Sequence, residues 1–183
     1  MGWVLLVAGL VLWTGAHLFK RVAPEARAGM GDRGKLLVAV LVLASVALMV
    51  VGYRDAHGPV WWGRHPATVG INNLFNLLAV YLFAASGMKT RITAYIRHPQ
   101  LTAVKTWAIG HLIVNGDLAS FVLFGGLLAW AVAEVVLINR QTARPAPPAP
   151  ASMGKEIGAV VGTLVVYGLI AWVHYWFGYP AFG

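Results

Sequence analysis

Six apolar runs separated by short loops decide what this chain can become. They cover residues 3–19, 36–53, 69–87, 101–114, 118–138 and 157–177. A helix that crosses a bilayer needs about 20 predominantly apolar residues, within a range of about 17–25. Five runs reach that range. The fourth is shorter, so its span must be tilted, re-entrant or completed by the polar residues at its ends. Of the 183 residues, 59% are hydrophobic and only 11% charged, whereas soluble domains are about a quarter charged. The expected fold is all-α: a single polytopic membrane bundle of six transmembrane helices spanning residues 1–183, too short to add a sizeable soluble domain.

The loops agree with six crossings. Lys20, Arg21, Arg27, Arg33 and Lys35 fall in the first loop, Lys89, Arg91 and Arg97 in the third, and Arg140, Arg144 and Lys155 in the fifth. The second loop holds only Arg54 and Arg64, and the fourth, Asn115-Gly116-Asp117, holds no basic residue. Positive loops stay on the cytoplasmic side, so both termini are expected on the outer side. The first run has no basic residues ahead of it and no small-residue cleavage site after it, and is read as a retained helix. The net charge of +8 is spread over these loops and forms no single basic face, which argues against nucleic acid as a partner. With no cysteine, disulfides, thiolate metal sites and cysteine nucleophiles are excluded.

Local signals refine the picture. Pro99 suits the first turn of the fourth helix, Gly116 a helix stop, and Asp117 the cap of the fifth helix. Trp61 and Trp62 read as outer interfacial anchors. Residues 142–152, "TARPAPPAPAS", read as an extended cytoplasmic linker. Arg-His-Pro occurs twice, at Arg64-His65-Pro66 and Arg97-His98-Pro99, and the topology puts the copies on opposite faces.

Ionisable groups inside a bilayer are costly and need a partner or a function. His17 and His111 fall within the first and fourth helices, and His174 near the outer end of the sixth. A lone intramembrane histidine can simply bond a neighbouring helix. Two on different helices can share a metal, and neutral imidazole binds haem iron through one nitrogen. At 1.5 Å per residue, His17 lies about 8 Å and His111 about 15 Å from the inner hydrocarbon edge. His111 with His174 is the competing pair, and spacing leaves the choice open. Lys105 and Glu134 fall at similar depth and are expected to pair. Asn72 and Asn76 share one face of the third helix, where they either line a polar cavity or bond neighbouring helices. No Walker A sequence, zincin motif or nucleophile elbow is present.

The stretch "RHPQLTAVKTWAIGHLIVNGDLASFVLFG" resembles the core of the NnrU family, and "HLFKRVAPEARAGMGDRGKLLVAVLVLASVALMVVGY" resembles its first loop and second helix. The likeness covers nearly the whole chain. It implies a multi-pass protein of the bacterial inner membrane, associated with denitrification and with nitrite and nitric-oxide reduction through a redox partner. That family is similar to plant zeta-carotene isomerase, a haem b enzyme that converts a central cis double bond of an apolar polyene to trans. The resemblance implies haem-ligand histidines at Ala16-His17 and at Trp107-Ala-Ile-Gly-His111, making His17 and His111 the iron ligands. The isomerase has a nearby cysteine that this chain lacks, so a thiolate exchange does not carry over. The same stretch is also similar, at lower rank, to membrane isoprenylcysteine-type methyltransferases. That likeness implies S-adenosylmethionine binding at Arg97 and His98, but the C-terminal glutamate pair is reduced here to Glu134.

Overall fold

The computed structural model describes every residue except 147, 148, 150 and 183. Among the described residues, eight helices and two short strands follow one another: α1 (Gly2–Val22), α2 (Pro24–Gly29), α3 (Gly31–Asp55), β1 (Val60–Trp62), α4 (Pro66–Met88), α5 (Ile92–Tyr95), α6 (Pro99–Val114), β2 (Gly116–Asp117), α7 (Leu118–Gln141) and α8 (Met153–Trp176). The six apolar runs are the six long helices. Five of them, α1, α3, α4, α7 and α8, are long and apolar enough to cross a membrane. The sixth, α6, has 16 residues, about 24 Å of helix, and packs between α4 and α7.

Helix starts follow from local chemistry. Both Arg-His-Pro copies open helices, with Pro66 and Pro99 in the first turn of α4 and α6, where a missing N–H costs nothing. At the head of α7, Asp117 Oδ1 accepts from the Ser120 backbone N–H at 2.9 Å and Oδ2 from the Ser120 hydroxyl at 2.6 Å. The single Ser120 proton is thereby committed, so Tyr53 donates its own hydroxyl proton to Ser120, at 2.8 Å. This chain ties α3 to the cap of α7.

The helices pack as two antiparallel pairs, α1 with α3 and α4 with α6, joined through α7. Small residues let α1 and α3 approach closely, as they must where lipid supplies no hydrophobic drive between helices. A Cβ on Gly9 would lie 2.9 Å from the Met49 backbone N, and one on Gly52 would strike the backbone of Leu6. The main core gathers Leu6, Met49, Ala119 and Leu127, with Trp13 and Trp107 packed against it. A second core joins Ala79 and Leu82 of α4 to Ala103 of α6. α8 rests on α4 through buried Ala159 and Thr163. Its remaining faces, with Val165, Leu169 and Trp172, are exposed.

The two ends of the bundle differ in charge. At one end Trp3 Nε1 donates to His57 O (3.1 Å), Arg64 Nη2 to Pro180 O (2.7 Å) and Asn73 Nδ2 to Ala181 O (3.0 Å), so both termini lie together. At the other, Gln141 Nε2 donates to Arg21 O (2.9 Å), Arg97 Nη2 to Thr142 O (2.7 Å) and Arg144 Nη2 to Tyr95 O (3.2 Å). The basic loops are thus gathered at the end opposite the termini. Of the expected 142–152 linker, residues 147, 148 and 150 lie outside the described residues. Its first part is held against the bundle by Arg144.

One feature departs from the all-helical expectation. β1 and β2 pair antiparallel, Val60 with Asp117 and Trp62 with Gly116, clipping the α3–α4 connection to the α6–α7 connection. Trp62 therefore does more than anchor at an interface: its Nε1 donates to Leu112 O at 3.2 Å, and its indole covers Gly116. α6 stops at Asn115, and Gly116 is needed because a Cβ there would run into the Trp62 ring. Gly116→Val is expected to destabilise the protein by about 1–3 kcal/mol through this overpacking, read as a lower thermal midpoint in detergent. Trp62→Ala should relieve much of that added penalty in the double variant.

Candidate functional site on α1, α6 and α7

Two stretches of the same form build the centre. Trp13-Thr-Gly-Ala-His17 in α1 and Trp107-Ala-Ile-Gly-His111 in α6 each put a tryptophan one turn before a histidine. In each, imidazole Nδ1 meets the carbonyl of that tryptophan, at 2.9 Å for His17 and 3.0 Å for His111. A carbonyl only accepts, so Nδ1 carries a proton, and in the neutral ring Nε2 then keeps its lone pair. Neither Nε2 has a hydrogen-bond partner among the described residues. This is the protonation state in which imidazole ligates a metal, with the outer nitrogen oriented by a backbone acceptor.

Both rings rest on α7. The His17 ring lies 4.1 Å from that of Trp13 and 4.7 Å from that of Trp130. The His111 ring lies 4.7 Å from Phe124 and 5.0 Å from Trp107. Trp130 and Phe124 are six residues apart, about 9 Å along the helix and about a third of a turn around it. The rings are therefore staggered on neighbouring faces of one helix, in line with the depth offset expected from sequence. Leu127, midway between Phe124 and Trp130, belongs to the core on which Trp13 and Trp107 pack. His174, exposed on α8, makes the same bond, Nδ1 to Ile170 O at 2.8 Å, but among the described residues no ring contact joins it to His17, His111 or their aromatic neighbours.

The expected Lys105–Glu134 pair is not formed. Glu134, whose side chain is 8% exposed, bonds Arg21 of α1, Oε1 to Nε at 3.2 Å. Lys105 lies one turn before Ile109, an exposed position of α6, and makes no hydrogen bond or ion pair among the described residues. Depth alone suggested the pairing; the angular position of Lys105 on α6 defeats it. Arg21 lies one turn beyond His17, and Glu134 one turn beyond Trp130, so the histidine layer leads directly into an ion pair. Three buried polar atoms in these two layers have no partner among the described residues: Trp13 Nε1, Trp130 Nε1 and Glu134 Oε2.

Arg97 and His98 are not part of this centre. His98 Nε2 bonds Asn139 Oδ1 at 2.9 Å and Arg97 bonds Thr142 O, joining the start of α6 to the end of α7. His98 is thirteen residues from His111, about 20 Å along the helix. Asn72 and Asn76 bond each other, Asn76 Nδ2 donating to Asn72 Oδ1 at 2.6 Å and to Asn72 O at 2.8 Å. They form a rung within α4. Among the described residues, no three His, Asp or Glu side chains gather around a common point.

A family model described as NnrU protein matches residues 5–181. The chain belongs to the NnrU family. No curated protein and no solved structure matches it. The family match spans both Trp-x-x-x-His stretches of this NnrU chain, together with Phe124, Trp130 and Glu134 on α7. The sequence reading missed Trp13, Arg21, Phe124 and Trp130. The repeated Trp-x-x-x-His spacing was the available signal for the first; the rest depend on how α1 and α6 meet α7.

Proposed function

We propose that this NnrU protein is a six-span protein of the bacterial inner membrane that holds haem b through His17 and His111. Its role in this reading is redox chemistry supporting nitrite and nitric-oxide reduction. Both termini lying at one end supports an even number of crossings, and the six long helices make six the reading that fits. The basic loops at the opposite end favour a cytoplasmic position there and termini outside.

The observation that carries the haem reading is the matched pair of imidazoles, each fixed by a backbone carbonyl at Nδ1 and bare at Nε2. That donor set suits haem iron, and the carbonyl bonds would orient the rings and raise their basicity. When bound, haem b supplies one-electron exchange. The chain contributes a water-poor aromatic wall from Trp13, Trp107, Phe124 and Trp130, which strengthens electrostatic interactions within it. Two histidine ligands suit electron transfer, because no ligand need leave. Polyene isomerisation ranks second. The apolar groove of about 300 Å³ between α4 and α8, lined by Leu74, Tyr81 and Leu164 among others, lies on helices that carry neither histidine of the pair.

The purified protein supplied with haem b is expected to give a six-coordinate, low-spin absorption spectrum. A preparation that stays colourless would overturn the reading.

A further inference from the structure

We infer that the indole N–H groups of Trp13 and Trp130 bind a carboxylate of the haem, on the side of His17. The inference rests on the haem reading above and assigns two residues beyond its iron ligands. Trp130 is 6% exposed, yet among the described residues its Nε1 has no acceptor, and neither does the buried Nε1 of Trp13. Buried donors without acceptors are costly, and native interiors seldom keep them. Here two occur on rings 5.2 Å apart, both in contact with the His17 ring.

Neighbouring groups do not supply the missing acceptors. The two indoles meet at 84°. In such a T-shaped pair only one ring presents its edge, so a ring face serves one N–H at most. The Trp13 carbonyl is taken by His17 Nδ1, and neither indole bonds Glu134. Arg21 is committed to Glu134, which leaves the indoles as the free donors of this layer. Two N–H donors on rings in edge-to-face contact match in number the two oxygens of a carboxylate. Haem b is apolar apart from two carboxylates on one edge.

The test compares haem b with its dimethyl ester, in which the carboxylates are masked, on the apo full-length protein. The wild type should hold the acid form about tenfold or more tightly, by equilibrium titration and by rate of haem loss, since a charge-assisted hydrogen bond is worth at least that factor. Trp13→Phe and Trp130→Phe should each shrink the ratio, and the double variant should bring it near one. A role in packing alone would weaken both forms together and leave the ratio unchanged, which overturns the inference. Equal binding of acid and ester by the wild type also overturns it, without mutants and without touching the haem reading. Failure of the wild type to bind either form removes both.

Discussion

His17→Ala and His111→Ala are each expected to convert a six-coordinate low-spin haem into a five-coordinate high-spin one, and the double variant to lose haem altogether. Removing a second-shell partner typically weakens metal binding about 10–100-fold, and removing a ligand should cost at least the upper end of that range. Each truncation also frees the tryptophan carbonyl that held Nδ1, at Trp13 or Trp107, and opens a space of imidazole shape. Added imidazole should therefore restore the low-spin spectrum in the single variants. His174→Ala and His98→Ala should leave the spectrum unchanged, because neither side chain belongs to the centre. The staggered placement of the rings makes this a demanding test. A single variant that kept the six-coordinate spectrum would mean that its histidine does not reach the iron.

Arg21→Ala is expected to destabilise the protein by about 3–5 kcal/mol, the range for removing one partner of a buried ion pair. Glu134 is the more deeply buried partner, its side chain 8% exposed against 21% for Arg21, and one of its oxygens already lacks a partner. Without Arg21 the carboxylate would be left alone in a low-dielectric interior, where charged groups are most costly. Glu134→Gln should cost less, since Arg21 lies near the helix end and its long side chain can turn toward water. Lys105→Ala should be nearly silent. Thermal unfolding in detergent reads all three. A Lys105→Ala loss as large as that of Arg21→Ala would restore the pairing expected from depth and reject the one described here.

That contrast marks what the residues disclose and what they conceal. The six apolar runs became the six long helices because hydrophobic length is a property of each segment alone. Pro99 and Asp117 act where expected because starts and caps are decided within one turn. Charge segregation was readable for a similar reason, each loop being its own short stretch. The partner of Glu134 was not, because depth fixes position along a helix and leaves its rotation free. Arg21, 113 residues away, reaches Glu134 from α1, while Lys105 on neighbouring α6 faces elsewhere. Val60-Trp61-Trp62 suits a strand by residue type but is too short to announce one, and its partner lies more than fifty residues downstream. At the candidate site, His17 and His111 were visible as costly residues in apolar runs. Trp130 and Phe124 read as ordinary apolar positions until α7 was found between the two histidine helices.

The strand clip also bears on how the chain is assembled. A nascent polypeptide entering the bilayer in order would deliver α1 and α3 first, and their close glycine contacts could form at once. β1 would then wait at the surface until the whole of α4 and α6 had emerged, because the strand it pairs with is Gly116-Asp117. Closing the clip sets the heading of α7 as it enters, and α7 is the helix on which both histidines rest. The order of synthesis thus leaves the centre for late completion, after the walls that will enclose it are standing.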